Sequence, residues 1–237
     1  TGNVFDGREI GYGGIGIDLN GTATGAVVRN NVVKNFEKYT GAPISDECIG
    51  IRITGGAKAD VINNVIYTCY DSQGNGAETR CGMGIFVQST SGTKILGNVI
   101  WNCWVRDGDG TGHRLVRAPN ANVTLQYNVL HRTSHVHSDL VGGGVVNHDG
   151  INADPRISNW DTLSVHSDSP CINAGPPNAQ YNDHDGSRND IGGAGGHGYL
   201  PDGRTTDKPI PLSLDVAPVF VPAGGIITIQ STGATTK

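Results

Sequence analysis

Five Asn-Val pairs recur along this chain at nearly constant spacing: Asn3-Val4, Asn31-Val32, Asn64-Val65, Asn98-Val99 and Asn128-Val129, with steps of 28, 33, 34 and 30 residues. A period in the range of ~20–50 residues is the signature of a solenoid, in which each repeat buries its apolar face only against its neighbours. An Asn that returns once per repeat suits such a stack, because amides in successive layers hydrogen-bond to one another. The recurring Asn fixes the frame in which every other residue is read.

Aligned on it, the flanking columns are apolar. Three residues before stand Val28, Val61, Ile95 and Leu125; one after stand Val32, Val65, Val99 and Val129; two after stand Val33, Ile66, Ile100 and Leu130. About fourteen residues upstream another apolar strand opens with Gly16-Ile17, Gly50-Ile51 and Gly84-Ile85, the glycines 34 residues apart. Each repeat reads as strand, turn, strand, tight Asn turn that tolerates left-handed backbone, strand and long loop. The 36 glycines among 237 residues, roughly twice average usage, are read as turn residues of an all-β chain. Three short strands per layer make the pattern of a parallel β-helix. Both valine columns beside the Asn read as buried, so their alternation leaves the faces unassigned.

After the last repeat comes Ile151-Asn152-Ala153-Asp154-Pro155, then Leu163, then Ser169-Pro170-Cys171-Ile172-Asn173-Ala174-Gly175, and finally Asp183-His184-Asp185-Gly186-Ser187-Arg188-Asn189-Asp190-Ile191-Gly192-Gly193. This series resembles the segment that closes many secreted bacterial β-helix proteins, with Ile157 in place of an aromatic, and Cys171 and Gly193 in place of alanines. Together with the repeats, residues 2–195 resemble the right-handed parallel β-helix proteins of the pectate-lyase-like superfamily. The resemblance implies a right-handed solenoid of about five coils, a C-terminal capping segment, and a bacterial protein that is secreted or held at the cell surface. It does not imply one activity, because this fold hosts lyases, hydrolases, epimerases, adhesins and phage proteins.

The chain thus divides into coils (1–150), a closing segment (151–200), a proline-bearing linker (201–211) and a β-prone tail (212–237). The tail resembles the opening strands of an immunoglobulin-like module or a strand given to a neighbour. Asn3 falls on the ladder, so the chain starts inside a coil. The expectation is that either upstream coils have been removed or another chain covers that end, since open sheet edges invite association.

Charge excludes some partners. A formal net charge of −5 with 16% charged residues lacks the basic footprint of a nucleic-acid binder. No apolar run approaches the ~18 residues of a membrane span. The absence of a visible signal peptide fits a mature or trimmed chain.

Cys69 and Cys103 both lie five residues after their Asn, and Cys48 and Cys81 both lie just before the next repeat. In-register neighbours stand about 4.8 Å apart, within reach of a disulfide. Three readings stay open: disulfides between layers, a Cys69–Cys81 staple, or stacked thiols. Cys171 is expected to be unpaired.

The long loops (Glu37–Glu47, Asp71–Arg80, Arg106–His113 and Ser134–Gly150) leave from one corner and should share a side. In polysaccharide lyases of this fold, that side carries a proton-abstracting base and cations. Arg80, Arg106 and His113, with Asp107 and Asp109, have suitable chemistry, but no family motif matches them and no role is transferred. Whether the chain is an enzyme stays undecided, because two opposed carboxylates at ~5–10 Å cannot be picked out by spacing. Asp107/Asp109 and Asp183/Asp185 place carboxylates two apart before a glycine, a spacing calcium accepts; no cofactor is required. His135, His137 and Asp139 alternate, as a zinc site would require.

Aromatic residues suggest the ligand. Three residues after the Asn stand Lys34, Tyr67, Trp101 and His131, and six after stand Glu37, Tyr70, Trp104 and Ser134. Lys34 and His131 mark the first column as exposed. Tyr67 over Trp101, and Tyr70 over Trp104, would then form outer stacks resembling the sugar platforms of carbohydrate-binding proteins. The sequence therefore predicts an extracellular β-helix module that binds, and in one version cleaves, polysaccharide. The alternative is a surface or filament subunit, a homopolymer stacking through its coil end and tail.

Overall fold

The computed structural model describes residues 2–8, 13–38, 47–71, 81–89, 92–105, 115–119, 122–132, 141–142, 145–159, 164–197, 210–217 and 228–234. Arg80, Arg106, Asp107, Asp109, His113, His135, His137 and Asp139 lie outside these residues, as do most of the long loops. Two compact units form, Thr1–Tyr199 and Leu200–Lys237. In the second, Ile210–Ala217 pairs antiparallel with Thr228–Ala234 as a hairpin.

In the first unit, three parallel sheets carry the columns. The ladder sheet stacks Val4–Asp6, Val32–Lys34, Val65–Tyr67, Val99–Trp101 and Val129–His131. The glycine sheet stacks Gly14–Leu19, Cys48–Ile53, Cys81–Val87, Val116–Arg117 and Val141–Gly142. A third sheet stacks Ala26–Arg29, Ala59–Ile62, Thr93–Leu96 and Val123–Gln126. Equivalent residues pair directly: Val32 with Val65, Val65 with Val99, Val28 with Val61, and Ile51 with Ile85. Parallel sheets stacked in register are compatible with a parallel β-helix.

Alternation within the ladder sheet explains why both valine columns looked buried. Val33, Ile66, Ile100 and Leu130 enter the main core with Ile51, Ile85, Val61 and Ile95. Val32, Val65, Val99 and Val129 belong to a separate cluster with Cys171 and Ile191, flanked by Ile151, Ile157 and Ala174. The second column thus faces outward, and the closing segment lies over it. Val4 holds the same position one layer earlier and is 59% exposed, whereas Val32 is 4% exposed. Covering one such side chain contributes ~1.5–3 kcal/mol. The closing segment is therefore a lateral cover of the ladder sheet as well as the continuation of its last layer.

The repeated glycines keep the layers narrow. A Cβ added to Gly16, Gly50 or Gly84 would sit 2.3–2.5 Å from a γ-carbon of Val33, Ile66 or Ile100 across the core. Phe36, Cys69 and Cys103 occupy one column beside those glycines. Cys69, Cys103 and Cys171 are buried free thiols and Cys48 is buried as well; the side chain of Cys81 lies outside the described residues. The Cys103 thiol, hydrogen-bonded to Cys69, and burial together push the Cys69 thiol well above its ordinary value.

The turn geometry corrects one expectation. The left-handed residue is not the ladder Asn but the one before it: Gly2, Asn30, Asn63, Gly97 and Tyr127 have φ of 70°, 51°, 52°, 63° and 56°. The ladder Asn itself turns its amide into the core. Asn64 Oδ1 accepts from the backbone N and Nδ2 of Asn31 at 3.1 and 3.0 Å, and Asn64 Nδ2 reaches Asn98 Oδ1 at 3.0 Å and Val28 O at 2.9 Å. Asn98 repeats this toward Asn128, and Asn3 toward Asn31. Only an amide supplies both donors and an acceptor in so dry a place.

The row gains a further amide that the Asn-Val spacing does not reveal. Asn128 Nδ2 donates to Asn147 Oδ1 at 3.1 Å, and Asn147 Nδ2 donates back to Asn128 O at 2.9 Å. Val129 bridges Ile151, so Gly150 stands where the ladder Asn would be. A Cβ there would lie 1.8 Å from Asn147 Nδ2, so the glycine leaves the space that the Asn147 amide fills.

Candidate functional site

The two aromatic rows form as pairs. Tyr67 is in register with Trp101, their rings 6.3 Å apart and tilted by 50°. Tyr70 is in register with Trp104 on adjoining short strands, at 4.0 Å and 41°. All four side chains are half-buried. At the turn between the rows, Asn35, Thr68 and Asn102 take φ of 59°, 56° and 54°.

Lys34 does not mark an exposed column: it is only 7% exposed. Its ammonium lies 5.9 Å from the Tyr67 ring centroid and 3.6 Å from the Asp6 carboxylate. A lysine stem covers apolar surface while its charge finds a partner, so lysine in a column is a poor marker of solvent. Asp6 is held well below the usual carboxylate range, chiefly by its hydrogen bond from Arg8 and further by Asn35, against the upward push of burial. One face of Tyr67 is thus occupied from within the protein. Burial also raises the Tyr67 hydroxyl above its ordinary value.

Trp101 has a different neighbourhood. With the closing segment it borders an open cavity of about 370 Å³, lined by Asp154, Arg156, Ile157, His166 and Asp168. This volume falls within the ~300–1,000 Å³ of small-molecule sites. Ile157 pairs with Val165 in a short antiparallel ladder that sets one wall. The Asp154 carboxylate accepts the Arg156 N–H at 2.8 Å, and His166 N–H donates to the Arg156 carbonyl at 2.9 Å. These bonds hold Arg156 at φ 54°, a left-handed conformation that an arginine rarely adopts. The Arg156 guanidinium pairs with Asp168. Their side chains are 50% and 64% exposed, so the pair stabilises the fold by only ~0–1 kcal/mol and stays open to a ligand.

Arg156, His166 and Asp168 were not legible as a site. Twelve residues separate Arg156 from Asp168, and the fold-back that brings Trp101 against them has no period. Asp154 and Ile157 were visible only as part of the closing motif.

The closing segment is fixed by amides on the outer side of the ladder turns. Asn30 Nδ2 donates to the carbonyls of Gly193 and Gly195 at 3.0 and 2.8 Å. Asn63 and Asn189 exchange amide hydrogen bonds at 3.1 and 3.2 Å, and Asn63 Nδ2 also reaches Asp190 O at 2.7 Å. At the next turn, Gly97 O accepts the Gly192 N–H at 2.8 Å.

Asp183 and Asp185 serve this segment. Asp183 accepts the N–H groups of Asp190 and Gly196, while Asp185 accepts the N–H and hydroxyl of Ser187. Burial raises Asp183 and Asp190 above the usual carboxylate value, opposed by their backbone donors; Ser187 lowers Asp185. Among the described residues, no group of three or more His, Cys, Asp or Glu converges on one point. Among them, too, no helix is long and apolar enough to cross a membrane.

Comparison with protein-family models, curated proteins and solved structures finds no match.

Proposed function

We propose that this chain is a right-handed parallel β-helix of the pectate-lyase-like kind, secreted or cell-surface, whose outer ladder face binds carbohydrate. One observation carries the reading: the indole of Trp101 borders an open cavity whose other walls bring carboxylate, guanidinium and imidazole groups together. A sugar ring has apolar C–H faces and a rim of hydroxyls. It therefore needs a flat apolar platform beside donors and acceptors, and the cavity supplies both. Trp101 is the principal platform. Tyr67 supports it from the adjacent strand, and the Tyr70–Trp104 pair forms a secondary surface beyond the turn.

Affinity electrophoresis through gels containing neutral or acidic polysaccharides tests this. Wild type should be retarded by at least one of them, Trp101→Ala should run freely, and Trp104→Ala should lose less. Equal mobility of Trp101→Ala and wild type in every gel would remove the platform from the argument. Ultraviolet absorbance of unsaturated uronates, followed on the same polysaccharides, separates a lyase from a binder.

A further inference from the structure

We infer that the Trp101 cavity takes a neutral, hydroxyl-rich pyranose ring, recognised by Asp154 and the Arg156–Asp168 pair, and that it rejects uronates. The inference rests on the carbohydrate reading above and narrows it to a ligand class.

Charge decides between the two kinds of sugar. Among the described residues that line the cavity are two carboxylates, Asp154 and Asp168, and one permanent cation, Arg156, which is already paired with Asp168. A uronate would have to displace Asp168 from the guanidinium and lie beside two like charges. A neutral ring meets no such cost. Its hydroxyls donate to the carboxylate oxygens and accept from the remaining guanidinium N–H groups, so a carboxylate and a guanidinium side by side address two neighbouring hydroxyls. The indole then covers the C–H face.

The backbone supports the same assignment. Arg156 is held left-handed although Gly would sit there without strain, and its backbone N–H and carbonyl are tied to Asp154 and His166. Strained residues persist where their surroundings hold them, and they cluster at ligand clamps. Here the strain places the guanidinium on the cavity rim, where its ion pair is too exposed to stabilise the fold much.

Calorimetric titration of the full chain with cello-, manno-, xylo- and galacto-oligosaccharides, beside an oligogalacturonide, tests the inference. At least one neutral oligosaccharide should bind about tenfold or more tighter than the oligogalacturonide, a factor that one good hydrogen-bonded contact supplies. Arg156→Gly should weaken that binding by a similar factor while the melting temperature holds or rises. Asp168→Asn frees the guanidinium, so it should shift the ratio of affinities toward the oligogalacturonide, a change that a merely structural role would not produce. Tighter binding of the oligogalacturonide by wild type would overturn the neutral-sugar assignment and leave the carbohydrate reading standing. Unchanged affinities in both variants would overturn the role of the ion pair. No binding to any of these sugars, nor to any polysaccharide gel, would overturn both readings.

Discussion

Asn63 and Asn64 are neighbours in sequence and both are buried, yet they belong to different parts of the molecule. Asn64 turns inward and bonds Asn31 and Asn98 in the layers on either side. Asn63, left-handed, turns outward and bonds Asn189 and Asp190, more than a hundred residues away. Asn30 and Asn31 divide the work in the same way. The inner row recurs from Asn3 to Asn128 because those layers see the same neighbours. The outer row reads Asn30, Asn63, Gly97, Tyr127, because each turn meets a different stretch of the closing segment. Repetition builds the scaffold, and departures from it attach the part that carries the cavity.

That contrast breaks most visibly at the inner row. Asn64→Ala leaves the Asn31 N–H and the Val28 and Ile62 carbonyls without their partner in a dry core, and should cost ~3–5 kcal/mol in chemical denaturation. Asn63→Gly keeps the left-handed turn but removes the outward amide, and should cost ~1–3 kcal/mol. Its effect should be confined: hydrogen exchange should accelerate at residues 189–196 while the amides of the ladder sheet stay protected. Equal loss of protection in both regions would show that cover and scaffold unfold as one.

The smallest effect concerns pH. Burial raises Asp183 and Asp190 in the folded closing segment, so their charged forms oppose folding at neutral pH. That opposition fades as pH falls from the raised values toward the unfolded value of about 3.9. The lowered groups Asp6 and Asp18 run the other way, adding stability above the unfolded value and losing it below. Exchange protection at 189–196 should therefore increase slightly between pH 7 and about pH 4, while the Asp6 and Asp18 neighbourhoods weaken only at lower pH. Asp190→Asn should flatten the rise, and a rise unaffected by that change would remove Asp190 from the account.

The scaffold was legible because stacking in register converts a contact between layers into a period in the sequence. Val28, Val61, Ile95 and Leu125 share a column in the sequence and are paired in the sheet. What escaped was aperiodic. Asn147 joins the ladder from three residues before the expected position because Gly150 leaves room for it. Lys34 looked like a solvent marker because sequence gives its charge but not Asp6 and Tyr67 beside it. The cavity escaped altogether, since the contact between Trp101 and residues 154–168 depends on the path of a non-repeating segment. The same segment explains the second buried valine column, which repeats in sequence but is covered from outside by residues that do not.

A stack of similar layers has no intrinsic length; a layer could be inserted or excised and those remaining would still fit. The clasp along the outer turns removes that freedom. Gly193 and Gly195 meet Asn30, Asn189 and Asp190 meet Asn63, and Gly192 meets Gly97. Excising the layer between two of these turns would leave the next turn facing the wrong partner. The closing segment thus acts as a molecular ruler, and it restricts how this chain can grow or shrink by duplication.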